Sequence, residues 1–309
     1  MVVLVFGLGG CAGTGGATRP EEPPPAEVNV EGSRLLAPFM ERAAREYEAS
    51  GPNVDVTVRR SGNEEGFDAL CAGTAPIALS SRPIRSSERE VCRSNSNIIR
   101  SLPLANEGLA VIAHPSLDVT CLSTAQLRRL WRAGSSVEEY GDLGARLPDA
   151  PVTAFGLATD SESFAFFTRA LVGTEGSMRE DFRPARAPAT VIDSVASTPA
   201  SVGYVGYAEL ERAERRVRPV AIDDGRGCVL PSRSTIASGR YAPLSRPLDA
   251  YVNLEGLRRV AVASFLANVV DRHRQLAEGS GVVPMSPDQA RTATNVVGEP
   301  RPSQAVPAG

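Results

Sequence analysis

Residues 54–73 read VDVTVRRSGNEEGFDALCAG. Val54, Val56 and Val58 alternate with polar residues, the period of a half-buried strand. Residues 65–71 carry helical spacing. Between the two lies a junction of small residues, Ser61-Gly62-Asn63. A strand that ends on Ser and Gly and turns straight into a helix leaves backbone N–H groups reachable. The helix dipole adds partial positive charge at the same point.

The same unit recurs outward along the chain. Residues 28–30 read as a strand, and 34–47 as a helix with Leu36, Met40, Ala43 and Tyr47 on one face. A strand at 77–79 precedes a helix at 86–92, and strands are predicted near 98–102 and 109–114. Ser123-Thr124-Ala125-Gln126 is a capping box that opens a helix holding Leu127, Leu130 and Trp131. Beyond it the pattern predicts a strand at 152–157, helices at 162–172 and 190–197, strands at 202–205 and 248–252, and a long amphipathic helix at 254–273. Such alternation argues for α/β architecture with mostly parallel sheets. Ligands of open α/β sheets collect at strand C-terminal ends and helix N-termini.

Four strand-to-helix junctions share one composition: Gly32-Ser33-Arg34, Ser61-Gly62-Asn63, Ser80-Ser81-Arg82 and Asp160-Ser161-Glu162-Ser163. Each alone is ordinary N-capping chemistry. Converging on one point, they would surround a tetrahedral oxyanion with neutral donors, with an Arg as counter-charge. A carboxylate plugging the middle of that ring would count against this reading.

Composition narrows the alternatives. The formal charge is −3 over 309 residues and the pI about 5.7, with no basic run, which argues against a nucleic-acid partner. All 33 basic residues are Arg. P-loop, Schiff-base and Ser-x-x-Lys chemistry are therefore excluded. The two histidines, His114 and His273, form no His-Glu-x-x-His motif, and no metal or other cofactor is expected. No Gly-x-Ser-x-Gly elbow supports a serine hydrolase, so no enzymatic activity is expected.

The first ten residues, MVVLVFGLGG, are almost entirely apolar and too short to span a bilayer. Leu8-Gly9-Gly10-Cys11 resembles the lipobox of bacterial lipoproteins, in which the Cys is acylated. The basic n-region is missing, so the true start is expected upstream. Residues 12–27, rich in Gly, Pro and Glu, read as a disordered linker, and 298–309 as a loose tail. Cys71, Cys92, Cys121 and Cys228 permit three pairings. Proximity favours Cys71–Cys92 and Cys121–Cys228, stable in an oxidising compartment. Four reduced, buried cysteines are the alternative.

The chain resembles the periplasmic phosphate-binding proteins of bacterial ABC transporters, in their lipoprotein subgroup. The resemblance covers about residues 28–286 and rests on EGSRLLAPF (31–39), SGNEEGFDALCAG (61–73), IALSSRPI (77–84), CLSTAQLRRLW (121–131), TDSESFAFFTRALVG (159–173), VGYVGYA (202–208) and YAPLSRPLDAYV (241–252). It implies a two-lobe, type 2-like binding-protein fold, with mixed sheets flanked by helices. Residues 28–114 and 231–297 would form one lobe and 115–230 the other, closing on the ligand like a clamp. The implied partners are inorganic phosphate or a related oxyanion, an ABC permease, and the membrane through a lipid anchor only. The implied state is an extracytoplasmic, membrane-anchored monomer. The implied contacts fall on Ser33, Ser61, Gly62, Ser81, Ser161 and Ser163, with Arg82 as preferred counter-charge; Arg34 and Asp160 complete the candidate set.

The departures from the family pattern carry as much information. Relatives place a hydroxyl pair where Arg34 and Leu35 stand, glycines where Glu64 and Glu65 stand, Gly where Glu162 stands, and an acidic residue where Pro76 stands. A carboxylate 4 Å from a singly charged oxyanion costs about 4 kcal/mol at an effective dielectric of 20. That is nearly a thousand-fold in affinity. Whether Glu64, Glu65 and Glu162 face the cleft or solvent decides between retained phosphate binding, altered anion specificity and a decayed pocket serving a sensor or interaction role. Two further segments carry no ligand chemistry. Arg212, Arg215, Arg216 and Arg218 read as a solvated helix face, with docking to a permease as the functional alternative. Ser245-Arg246-Pro247 belongs to a family segment but suggests no chemistry of its own.

Overall fold

The structure is a computed structural model and describes residues 24–213 and 215–298. The expected signal and lipobox (1–11, with Cys11), most of the linker and nearly all of the tail lie outside the described residues. The strands are β1 Ala26–Gly32, β2 Val54–Arg59, β3 Ile77–Ser80, β4 Ile99–Ala113, β5 Cys121–Ser123, β6 Thr153–Leu157, β7 Arg183–Ala185, β8 Ser201–Gly206, β9 Arg218–Pro219, β10 Ala221–Asp223, β11 Cys228–Val229, β12 Ser245–Asn253 and β13 Val283–Pro284. The helices are α1 Ala37–Glu48, α2 Asn63–Ala72, α3 Ser86–Ser94, α4 Thr124–Trp131, α5 Glu162–Phe167, α6 Pro188–Ser197, α7 Tyr207–Arg212, α8 Arg233–Ala237, α9 Leu254–Arg258, α10 Val260–Asp271, α11 His273–Ala277 and α12 Pro287–Val297.

These elements build the expected α/β class, with mixed sheets flanked by helices. The main sheet runs β2-β1-β3-β12-β4-β8-β6-β7. Its two ends are parallel: β1 with β2 and β3, and β6 with β7 and β8. Its middle is antiparallel, where β12 and β4 pair with each other and with the flanking strands. A small sheet, β11-β10-β5, lies apart.

Strand β4 links two apolar cores. Leu102, Leu104 and Ala105 enter a core with Phe39, Met40, Ile77, Leu79 and Phe265. Leu109 to Ala113 enter a second core built around Trp131, Phe167 and Tyr204. There Phe167 and Tyr204 stack at 3.7 Å between centroids, and Trp131 meets both edge-on. Such pairs add about 0.5–1.5 kcal/mol each beyond their area.

Three elements differ from expectation. The two strands predicted around Pro103 are one 15-residue strand. A register shift opposite Leu248 and Asp249 absorbs the proline, whose ring cannot donate to the ladder. The long helix predicted at 254–273 is three helices, broken first at Arg259, whose backbone is extended. Gly256 in α9 sits so close to Pro76 that an added Cβ would lie 2.8 Å from the proline Cβ. The Arg cluster is only partly helical. Arg212 ends α7, Arg216 pairs with Asp193, and Arg218 lies in β9 and donates to the Leu117 carbonyl.

Both expected disulfides are present. Cys71–Cys92 ties α2 to α3, and Cys121–Cys228 ties β5 to β11. The sequence separations are 21 and 107. In the chain-entropy view, longer closure stabilises more. Urea unfolding of the Cys→Ser double variants should show a loss of about 3 kcal/mol for the short loop and about 5 kcal/mol for the long one. Equal losses would mean that the crosslinks act through native contacts rather than through the unfolded chain.

Candidate functional site

The site begins where β1 stops. Gly32 has φ of 131°, a region open to glycine, and an added Cβ would lie 2.1 Å from the Leu79 carbonyl oxygen. The chain therefore turns tightly against β3. Ser33 N–H donates to that same Leu79 oxygen at 2.9 Å. Gly66 in α2 lies against the same turn, where a Cβ would come within 2.7 Å of the Gly32 Cα. Gly62 N–H donates to the Gly32 carbonyl at 2.9 Å. Two of the four junctions are thus clamped together by backbone contact that no larger residue allows.

Asn63 brings in the third. Its Oδ1 accepts from Ser81 N–H at 2.9 Å and Ser80 Oγ–H at 3.1 Å, and its Nδ2 donates to Ser81 Oγ at 3.2 Å. One side chain thus cross-braces two loops.

The fourth junction arrives from the second core and brings a carboxylate. Glu162, in the first turn of α5, lays its carboxyl group among the other loops. Ser33 Oγ–H donates to its Oε2 at 2.5 Å, Ser81 Oγ–H to the same oxygen at 2.8 Å, and Arg34 N–H to its Oε1 at 2.8 Å. All three donors are uncharged, and among the described residues no ion pair to this carboxylate forms. Glu162 therefore faces the cleft and occupies its middle, the arrangement that counts against a free oxyanion being held there.

A cavity of about 340 Å3 opens beside it, lined among others by Arg34, Gly62, Ser81, Ser161, Arg85 and Arg169. Ser61 Oγ is buried and has no hydrogen-bond partner. Glu64 pairs with Arg85 at the rim, and Glu65 lines the same cavity.

The remaining expected residues are engaged elsewhere. Arg82 is buried, held over the Phe67 ring, and paired bidentately with Glu88 at 2.5 and 2.8 Å. Asp160 reaches Arg186 at 2.9 Å. Ser161 caps α5, accepting from Phe164 N–H at 3.0 Å. Ser163 Oγ–H donates to Glu107 at 2.6 Å. Of the nine candidates, Ser33, Arg34 and Ser81 meet on one anion, Ser61, Gly62 and Ser161 stand close by, and Arg82, Asp160 and Ser163 have protein partners of their own.

Sequence reasoning missed a buried support beneath the site. Glu107 on β4 pairs with Arg246 on β12 at 2.5 Å, with side chains 3% and 9% exposed. Arg246 lies 4.2 Å from the Phe166 ring centroid and donates to the Glu162 carbonyl at 3.3 Å. The pair joins the crossing strands to the first turn of α5. The Ser245-Arg246-Pro247 segment was a signal for it, but its partner lies 139 residues away.

With this geometry in place, comparison with known proteins is decisive. A family model described as a PBP superfamily domain matches residues 17–271. The chain belongs to the PBP superfamily. Within it, the chain is 31% identical to protein SphX of Synechocystis sp., over 82% of this chain and 74% of the relative. It is 26% identical to the phosphate-binding protein PstS of Staphylococcus haemolyticus, over 91% and 88%. Among solved structures, a possible phosphate binding protein from Planctomyces limnophilus matches with a TM-score of 0.75 and 29% identity, covering 89% of this chain and 99% of that one. Together with these relatives, this places the chain among extracytoplasmic solute-binding proteins, which are not enzymes.

The Arg82–Glu88 pair gives the site a pH signature. Burial pushes the Glu88 carboxyl up, but hydrogen bonds from Arg82 and from Arg85 N–H outweigh it and hold the group below the usual carboxylate range. A carboxyl depressed by folding stabilises fully above its unfolded value, and loses that contribution as pH falls through the folded value. Glu88→Gln should cost about 3 kcal/mol near neutral pH, the usual result of stranding one partner of a buried pair. Urea unfolding at about pH 7 and about pH 3 should show the gap between wild type and variant narrowing in acid. A gap that is constant or widens in acid would contradict this assignment.

Proposed function

We propose that this chain captures inorganic phosphate, or a closely related tetrahedral oxyanion, outside the cytoplasm and hands it to an ABC permease. The observation that carries the reading is the convergence of Ser33 Oγ–H, Arg34 N–H and Ser81 Oγ–H on a single pair of anionic oxygens. Neutral hydroxyl and amide donors, fixed in place by the Gly32–Gly66 contact and by Asn63, bind an oxyanion without reorganising. The Ser61 hydroxyl on the neighbouring loop is buried without a partner, so it is free to serve as a further donor. The relatives named as phosphate-binding proteins support phosphate as the cargo.

Leu109 to Ala113, Ile236, Tyr241 and Leu244 pack in the second core rather than the first. The lobe boundaries expected at 114 and 231 therefore fall instead within β4, after Ala105, and just ahead of β12, with these two paired strands as the crossing between lobes. Closure brings the α5 loop onto the three loops of the first core. Acylated Cys11 would anchor the chain to the membrane, with residues 12–27 as tether, and the receptor would work as a monomer. A second reading has a specific observation behind it: Glu162 already takes the donors, as expected of a sensor or interaction protein whose pocket no longer serves a free ligand.

Calorimetric titration of the chain with phosphate, sulfate and arsenate separates the two. Phosphate binding at micromolar affinity or tighter, reduced about ten- to a hundred-fold in Ser33→Ala or Ser81→Ala, is the result expected of the receptor. No heat with any of the three anions would favour the second reading.

A further inference from the structure

We infer that Glu162 is a built-in competitor for the ligand, a carboxylate that occupies the oxyanion cradle and holds the two halves of the chain together until an anion displaces it. The inference deepens the phosphate reading and rests on it for the identity of the displacing anion.

The geometry carries it in three steps. First, the carboxylate takes donors across the cleft: α5 packs with the second core, whereas Ser33, Arg34 and Ser81 follow strands of the first. An anion bound there closes a receptor of this fold, and Glu162 supplies that anion from within. Second, the contact is strong enough to fill the site and weak enough to leave it. It consists of hydrogen bonds from uncharged donors, with no ion pair to the carboxylate among the described residues, and Glu162 is only half-buried on the first turn of α5. The Arg246 contact is to its backbone carbonyl, so the side chain swings without disturbing the buried Glu107–Arg246 pair. Third, the carboxylate does not exhaust the cradle. The cavity beside it is lined by Arg34, which has no ion pair among the described residues, and by the Arg85–Glu64 and Arg169–Glu175 pairs, and on the loop that carries Gly62 the buried Ser61 Oγ has no partner. A tetrahedral dianion brings four oxygens and a second charge to the same donors.

The consequence is that apparent affinity is the intrinsic affinity divided down by the fraction of molecules with Glu162 withdrawn. If that fraction is about one in a hundred, removing the carboxylate tightens binding about a hundred-fold.

The test compares wild type with Glu162→Gly and Glu162→Gln. Phosphate affinity is measured by calorimetry and the phosphate-free radius of gyration by small-angle X-ray scattering, with circular dichroism confirming that each variant is folded. The expected result is phosphate binding about a hundred-fold tighter in Glu162→Gly and intermediate in Glu162→Gln. The phosphate-free glycine variant should be measurably more extended than wild type and should contract on adding phosphate. Equal affinities in all three proteins, with equal radii, would overturn the competitor while leaving the phosphate reading intact. If no protein binds phosphate but the glycine variant still expands, the latch stands and the phosphate reading falls. If none binds and none changes shape, both fall.

Discussion

A carboxylate held by three uncharged donors is the interaction on which the organisation of this molecule turns. Ser33 and Ser81 hydroxyls and the Arg34 amide are useless to a core and costly if left unpaired in a buried place. The fold nevertheless spends considerable constraint on bringing them together. Gly32 and Gly66 must both lack a Cβ for β1 and α2 to approach, and Asn63 must brace the loop after β3. Such expense is intelligible only if the cradle exists to hold negative oxygen. What varies is whose oxygen it holds.

The charge that balances the site is organised indirectly. The two best-buried arginines near the cleft do not touch the Glu162 carboxylate. Arg82 is neutralised by Glu88, and Arg246 by Glu107, each in a pair whose members are mostly shielded from water. Buried pairs of this kind rarely add net stability over an apolar replacement, but they are costly to break, and they orient what they touch. Arg246 fixes the backbone of Glu162, and Arg82 stiffens the loop that carries Ser81. The cradle itself is therefore built from neutral dipoles on a charged but internally compensated frame. Around the open cavity Arg85 is paired with Glu64 and Arg169 with Glu175, which leaves Arg34, without an ion pair among the described residues, as the cation an approaching anion would meet.

Much of this was legible in the residues. The strand-to-helix rhythm and the four hydroxyl-rich junctions follow from local signals, because turns, caps and period are local physics. The misses differ in kind. The strand at 99–113 read as two because the strand opposite, whose register shift accommodates Pro103, is about 145 positions away. Residues 254–273 read as one helix because periodicity persists across Arg259 even where the backbone does not. Arg82 stood as the preferred counter-charge although Glu88, only six positions on, takes it. Only the first is a partner that no window of sequence contains; in the last, the partner was near and the direction of its side chain was not legible.

Glu162 shows the limit most clearly. Its presence in the fourth junction was visible, and so was its cost of about 4 kcal/mol beside another anion at 4 Å. The direction of its side chain was not, because a first-turn Glu is equally at home in water, where the helix dipole favours it. The structure resolves the direction, and the resolution changes the meaning of the cost. A carboxylate near a bound anion repels it; a carboxylate in the place of that anion competes with it. Repulsion would weaken the ligand complex and leave the free protein unchanged, whereas competition stabilises the free, closed form and weakens binding by the same free energy. A single carboxylate at the head of α5 thus acts on the ligand-free state, where a list of ligand contacts alone would not look for it.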